Sequence, residues 1–272
     1  MEYDYKIVEK ILVEFVKNET QRIGLKKAVI GLSGGIDSAV SAYLAVKALG
    51  KDNVLCVMMP YKTSSKDSLT DAGLVIKDLG VKSKIVEISE MVDAYLTIRK
   101  EKDISNVRKG NIMARMRMIV LYDESAREKA LVIGTGNKTE ILLGYSTLFG
   151  DSACAINPIG DLYKTQVFEL AAHIKIPDKL IAKKPSADLW EGQTDEQEMG
   201  ITYAEVDKYL FEKVDERKSR EELLIMGYTK EYMDKIDKMI YRNQFKRLPP
   251  IIAKISNRTI NVDFRYNRDW NT

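Results

Sequence analysis

The chain reads as an α/β protein with an open, doubly wound parallel sheet and helices on both faces. Three observations lead there. Short apolar runs alternate with helical stretches of about 10–15 residues, the rhythm of successive βαβ units. A glycine-rich turn stands where the first run hands over to a helix, the place where such sheets receive ligands. The 272 residues, 45% apolar and 31% charged, suit one large globular domain and exclude a disordered or collagen-like chain.

The elements follow in order. Ile7, Ile11 and Phe15 recur on one helix face with Val8, Leu12 and Val16 beside them, and Gly24 stops that helix. Ala28-Val29-Ile30 forms the first strand, and a helix runs from about Asp37 to Leu49 before Gly50. Residues 53–59 predict a buried strand, 65–79 a helix closed by Gly80, and 84–88 a strand. A helix over 111–129, a strand over 130–133 and a helix over 163–174 come next. Two stretches, 97–110 and 183–200, have weak apolar periodicity or almost none and read as loops, a length that belongs to functional lids or to disorder. A helical part spans about 202–248, and Pro249-Pro250 opens an irregular tail over 249–272. The whole of 1–272 is read as one domain.

Composition excludes several chemistries. The net charge is +3, with a mild excess of +5 over 213–272, which a solvated surface explains as well as an anionic partner. Cys56 and Cys154 form neither a disulfide framework nor a CxxC pair, so a reducing cytoplasm is expected. A single histidine, His173, rules out HExxH zinc chemistry. It ends a helical segment and reads as a cap or surface residue. Cys56, within a strand, reads as an inert core thiol, and nothing marks Cys154 as a nucleophile. No apolar stretch approaches the ~20 residues that span a bilayer, and the acidic start lacks a secretory pattern. No membrane partner is expected.

The most informative stretch is Gly31-Leu32-Ser33-Gly34-Gly35-Ile36-Asp37-Ser38. Placed between a strand and a helix, its N–H groups and the helix N-terminus can converge on an anion. Gly34 and Gly35 permit positive φ and close approach of a ligand. The lysine of a kinase-type P-loop is absent, and so is the GxGxxG of a dinucleotide fold. What remains is a phosphate cradle with a carboxylate at its edge, suited to a nucleotide whose pyrophosphate binds through Mg²⁺. The segment 33–38 resembles the signature of the ATP pyrophosphatases, the PP-loop enzymes. These include GMP, asparagine, argininosuccinate and NAD synthetases and several tRNA-modifying enzymes, and the signature alone does not choose among them.

Further segments narrow the choice. Asn111-Ile112-Met113-Ala114-Arg115-Met116-Arg117-Met118 is followed by Gly134-Thr135-Gly136-Asn137-Lys138-Thr139-Glu140, Phe149-Gly150-Asp151 and Asn157-Pro158-Ile159-Gly160-Asp161-Leu162-Tyr163-Lys164. Lys184-Pro185-Ser186-Ala187-Asp188-Leu189-Trp190 and Gln193-Thr194-Asp195-Glu196 complete the set. In order and spacing these resemble the ammonia-dependent NAD synthetases, up to about Lys246. The resemblance implies an adenine nucleotide alpha-hydrolase-like fold and a homodimer. It also implies ATP-dependent amidation of deamido-NAD through an acyl-adenylate, giving NAD, AMP and pyrophosphate. Residues 31–38, Thr135, Lys164 and Ser186 would bind ATP, and Asp37 and Glu140 would bind Mg²⁺. Arg115 and Lys246 would contact deamido-NAD, and Asp151 the incoming ammonia.

By position, Asp37 and Glu140 follow the carboxyl ends of the first and fourth strands, good geometry for Mg²⁺ carrying phosphate. Taken alone, Glu140 is an ordinary first-turn glutamate. Arg117 falls on a different helix face from Arg115 and takes no such role. Leu148, Ala155 and Phe245 stand where many bacterial members carry Lys, Asp and His. Substrate contacts there must differ. Trp190 is read as part of a lid closing on substrate, with plain loop packing a close second. Free ammonia is the expected nitrogen source, since neither cysteine has the histidine partner of an amidase. The alternatives are another ATP pyrophosphatase, such as a tRNA-modifying enzyme, or a non-catalytic nucleotide-binding module. The first would need a nucleic-acid surface and, in sulfur-transferring versions, cysteine pairs. No nucleic-acid partner is expected.

Overall fold

Strands apolar on both faces are stable only between two layers of helices, and three of the four strands here are of that kind. A computed structural model describes residues 3–100, 103–186 and 195–263. In chain order it contains α1 (Tyr5–Arg22), β1 (Lys27–Gly31), α2 (Ile36–Leu49), β2 (Val54–Met58), α3 (Lys66–Leu79) and β3 (Lys82–Ile85). There follow α4 (Ser89–Ile98), α5 (Asn106–Glu128), β4 (Ala130–Ile133), α6 (Lys138–Leu143), α7 (Lys164–His173) and α8 (Asp178–Ile181). The C-terminal part adds α9 (Asp195–Met199), α10 (Tyr203–Leu210), α11 (Arg220–Ile225) and α12 (Lys230–Arg242).

The sheet is wholly parallel, in the order β3-β2-β1-β4. After β1 the chain steps outward through β2 and β3, then returns to the other side of β1 with β4. The β1/β4 boundary is therefore the switch point, and a crevice opens outside the carboxyl ends there. Alternate strand residues feed two cores. Ala28, Ile30, Cys56 and Ile133 pack with α1, α2, α3 and α7, while Val29, Val57 and Val132 pack with α4 and α5. A third core joins α6, α10, α11 and α12 through Leu143, Tyr209, Leu210 and Met233.

Several boundaries differ from the sequence expectation, each for a local reason. In α1 the packed face is Val8, Leu12 and Val16, whereas Ile7 and Ile11 are exposed. The α4 helix was not expected, and α5 starts at Asn106 behind a Ser105 cap, within the predicted loop 97–110. Its first turn carries exposed Val107 and no apolar stripe, so periodicity gave no sign of it. The third strand lies at 82–85 rather than 84–88. Val86 and Ile88 still donate to Met58 O and Pro60 O at 2.9 Å each, but Ile88 has turned into the core under α4. The predicted loop 183–200 contains α9, while Trp190 and Gln193 lie outside the described residues. The helical region 202–242 is cut by the Ser219 cap and by Gly227, at φ +95°. Among the described residues no helix is long and apolar enough to cross a membrane.

The C-terminal core is tied to the sheet by a buried acid. Asp207, on α10, has no accessible surface. It accepts from the Thr139 hydroxyl on α6 at 2.5 Å and from the Thr165 N–H on α7 at 2.8 Å. Thr139 Oγ1 in turn accepts from the Lys164 N–H at 3.0 Å. One carboxylate thus fixes where α6 and α7 begin. Asp207→Ala leaves buried donors unsatisfied, and the expected loss is on the order of 3 kcal/mol in urea unfolding. A midpoint unchanged from the parent chain would contradict this bracing role.

Candidate active site

A cavity of about 650 Å³ occupies the crevice at the switch point. Within the loop 31–38, every residue except Gly34 lines it. Thr135, Glu140, Asp151, Lys164, Ser186 and Lys246 line it too. Arg115 does not; it is exposed on α5, and its Nε donates to Leu148 O at 3.3 Å. The same helix instead presents Asn111, Ala114, Arg117 and Leu121 to the cavity, a helical i, i+3 and i+4 progression. Arg117, for which spacing predicts no such role, is thus on the cavity side, with its Nε donating to Met59 O at 3.0 Å.

The loop is built to expose main-chain donors. Gly34 holds φ at +78°, and a Cβ there would lie 2.2 Å from Ser68 O, so only glycine fits. The first residue before α2 is Gly35, and no side chain caps that helix. The residues of its first turn, Ile36, Asp37 and Ser38, line the cavity, where the positive end of the helix dipole suits an anion. Ser33 and Ser38 hold each other, Oγ to Oγ at 3.1 Å, and Ser33 Oγ accepts from Gly35 N–H at 3.2 Å. Lys183, absent from the sequence reading, braces the outer side. Its Nζ donates to Gly34 O at 3.2 Å and to Asp71 Oδ2 at 2.9 Å.

The electrostatic centre lies beside this loop. Asp37 enters from the first turn of α2 and pairs with the fully buried Lys164 at the start of α7. Glu140, from the first turn of α6, places Oε1 4.0 Å from the same ammonium. Asn137 caps α6 in a reciprocal box with Glu140. The helix-cap reading of Glu140 and its place among the strand-end carboxylates therefore hold together. Burial and the neighbouring Asp37 charge raise the Glu140 pKa, and Lys164 only partly offsets them. For Lys164, burial alone would lower the pKa, but the Asp37 and Glu140 charges outweigh it and hold the ammonium above the usual lysine value. The Tyr203 ring lies under Lys164 Nζ at 5.3 Å, and the Tyr203 hydroxyl donates to buried Asp195 at 3.1 Å.

Two carboxylates share one lysine, so ionising both would leave a net negative charge beside the loop. Among the described residues no group of three or more His, Cys, Asp or Glu gathers as a metal cage. That combination suits Mg²⁺, which is held by one or two carboxylates and completes its shell with phosphate oxygens and water. Asp37 and Glu140 are the residues that could hold it.

Across the cavity, Asp151 Oδ1 accepts from Thr147 N–H at 2.8 Å. Asp151 is an exposed residue at the cavity wall, and desolvation there raises its pKa against the Thr147 hydrogen bonds and the Lys246 charge. Lys246 donates to Gly144 O and Ser146 O at 2.6 Å each, and burial lowers its pKa. The remaining singular residues stand apart. Cys56 is buried with its thiol pushed up to about 12. Cys154 packs against Gly134 and is also raised by burial. His173 pairs with Glu9 at 3.1 Å and is not part of the cavity lining.

Comparisons with known proteins agree with one another. The NAD synthase family profile matches residues 7–250. The NH(3)-dependent NAD(+) synthetase of Chlorobaculum tepidum is 54% identical over 270 residues, covering 99% of this chain and 97% of that one. Its counterpart from Fusobacterium nucleatum is 55% identical over 255 residues, or 94% and 98%. Among solved structures, an NMN synthetase from Francisella tularensis superposes with a TM-score of 0.84 at 34% identity, covering 93% of this chain and all of that one. An NH3-dependent NAD synthetase from Campylobacter jejuni, in complex with nitrate ion, gives 0.78 at 34% identity with the same coverage.

The raised pKa of Glu140 has a testable sign. Its ionised form is less favourable in the folded chain than in the unfolded one. Stability is therefore lost as pH rises from the ordinary carboxylate range through the raised value. Glu140→Gln keeps the capping box and removes the charge. In the ligand-free chain it is expected to raise Tm at neutral pH, with the gain vanishing below about pH 4. Turnover is expected to fall by about 10²-fold or more. A neutral-pH Tm below that of the parent chain would refute the unfavourable ionisation of Glu140.

Proposed function

The chain belongs to the NAD synthase family, and we propose that its cavity brings ATP and deamido-NAD together and joins ammonia to the nicotinate carboxylate. It is a carbon–nitrogen ligase, amidating deamido-NAD to NAD with ATP as co-substrate. One observation carries the assignment to this cavity. The uncapped start of α2, the Asp37 and Glu140 carboxylates and the buried Lys164 ammonium converge at the β1/β4 switch point.

A carboxylate resists nucleophiles because it carries negative charge and lacks a leaving group. Adenylation removes both obstacles. The nicotinate oxygen attacks the α-phosphorus, and the bond to pyrophosphate breaks with its electrons on the leaving oxygen. The loop N–H groups and Lys164 are placed to hold phosphate oxygens as that charge grows, with Thr135 and Ser186 in the same wall. Mg²⁺ held by Asp37 and Glu140 would neutralise part of it. Ammonia then attacks the acyl carbon, AMP leaves, and the new nitrogen sheds a proton. Asp151, with its pKa raised by desolvation at the cavity wall, is a stronger base for that proton than an ordinary aspartate. Lys246 supplies positive charge on the same side, and Arg115, outside the cavity lining, would reach a more distant part of the dinucleotide.

Exposed Ile7 and Ile11 on α1 and Ile251 and Ile255 after the proline pair leave apolar surface that supports a homodimer. Free Cys56 and Cys154 fit a reducing cytoplasm. The three cores border one cavity, which supports reading 1–272 as one working unit. A mononucleotide substrate is the second reading, favoured by the higher TM-score to the Francisella tularensis NMN synthetase at equal identity. The relatives at 54–55% identity are NAD synthetases, so the dinucleotide is preferred.

Incubation with ATP, ammonium and either deamido-NAD or its mononucleotide, followed by chromatography, tests the reading. NAD, AMP and pyrophosphate are expected in equal amounts, with the dinucleotide preferred; ADP as the main product would refute it. Because only neutral ammonia attacks, the rate at fixed total ammonium should rise with pH. Asp151→Ala should raise the ammonium requirement by about tenfold or more while ATP binding persists. An unchanged ammonium dependence would remove Asp151 from the amination step.

A further inference from the structure

We propose that Asn137 is a positioning residue that holds the Asp37 and Glu140 carboxylates in the arrangement a divalent cation requires. This rests on the metal reading above and goes beyond it. Asn137 has no accessible surface and touches both carboxylates. Its amide Nδ2 donates to Asp37 Oδ1 at 3.0 Å. Its main-chain N–H donates to Glu140 Oε2 at 3.2 Å. Its Oδ1 accepts from the Glu140 N–H at 3.0 Å, closing the cap of α6.

Capping alone does not call for asparagine. Ser, Thr and Asp serve equally well there, and the chain uses them at Asp4, Ser65, Ser105, Thr202, Ser219 and Thr229. None of those carries an amide donor. What the amide adds at 137 is the bond to Asp37, across 100 residues of sequence. Two like charges from different strand ends repel, and Lys164 draws Asp37 toward α7. A neutral donor between them ties the Asp37 carboxylate to the element that carries Glu140. It does so without adding a positive charge that would compete with the cation. Hydrogen-bond partners behind metal ligands commonly change metal affinity about 10–100-fold when removed.

The test separates the cap from the bridge. Asn137→Ser keeps an N-cap oxygen and loses the amide; Asn137→Thr does the same should the first variant express poorly. Purified variants would be compared for thermal unfolding without ligands. Mn²⁺ affinity would be measured by electron paramagnetic resonance with a non-hydrolysable ATP analogue, and turnover as a function of Mg²⁺. The expected result is near-parental unfolding with Mn²⁺ affinity weakened about tenfold or more. Turnover should need correspondingly more Mg²⁺ and recover when Mg²⁺ is saturating. Unchanged Mn²⁺ affinity, or a loss of stability with no change in metal requirement, would overturn the bridging role. Asp37→Ala serves as the control: if it too leaves Mn²⁺ affinity intact, the metal reading itself fails, and not merely the role of Asn137.

Discussion

A fully buried lysine must be paired, because an isolated ammonium in a protein interior costs many kcal/mol. Lys164 is in that position, and much of the structure can be understood as meeting its requirement. Asp37 comes to it from the first helix after β1, Glu140 from the helix after β4, and the Tyr203 ring from the C-terminal core. Two carboxylates share the one ammonium, and the second, Glu140, ionises less readily than an ordinary glutamate. Two carboxylates beside the uncapped start of α2 are the features on which the proposal of a metal nucleotide, rather than a bare anion or a bare cation, rests.

The sheet topology decides where this can happen. Neighbouring β1 and β4 are separated by more than ninety residues of chain, yet their carboxyl ends lie side by side. The helix after β1 packs on one face of the sheet and the helix after β4 into the C-terminal core, so a crevice opens between their first turns. The C-terminal helices are not an ornament on this arrangement. Through Asp207 they set the starts of α6 and α7, and through Tyr203 and Asp195 they close the wall behind Lys164.

Much of this was legible in the sequence. Strands β1, β2 and β4 are short apolar runs with turn residues at their ends, and Gly24, Gly50 and Gly80 mark helix ends by the positive φ they adopt. The loop 31–38 announces itself because its residue types have few other uses together. The start of the edge strand β3 carries no apolar trace, because Lys82 and Ser83 are exposed and Lys84 is taken up by an ion pair with buried Glu124 at 2.8 Å. The solvent-exposed first turn of α5 was missed for the same reason. On that helix, Arg115 and Arg117 could not be assigned to the cavity from spacing alone, because the phase depends on how α5 leans on the sheet. Asn137, Lys183 and Asp195 act through contacts made 100, 149 and 50 residues away. Such pairings are properties of the fold and have no local signature.

The central claim is that Asp37 and Glu140 jointly receive a divalent cation together with the nucleotide phosphates, beside Lys164. Crystals grown with Mn²⁺ and a non-hydrolysable ATP analogue test it directly through the anomalous signal of the metal. The account predicts a peak within about 2.2 Å of oxygens from both carboxylates, with the phosphates against the N–H groups of 33–38. Nucleotide bound in the cavity with the metal touching neither Asp37 nor Glu140 would contradict it.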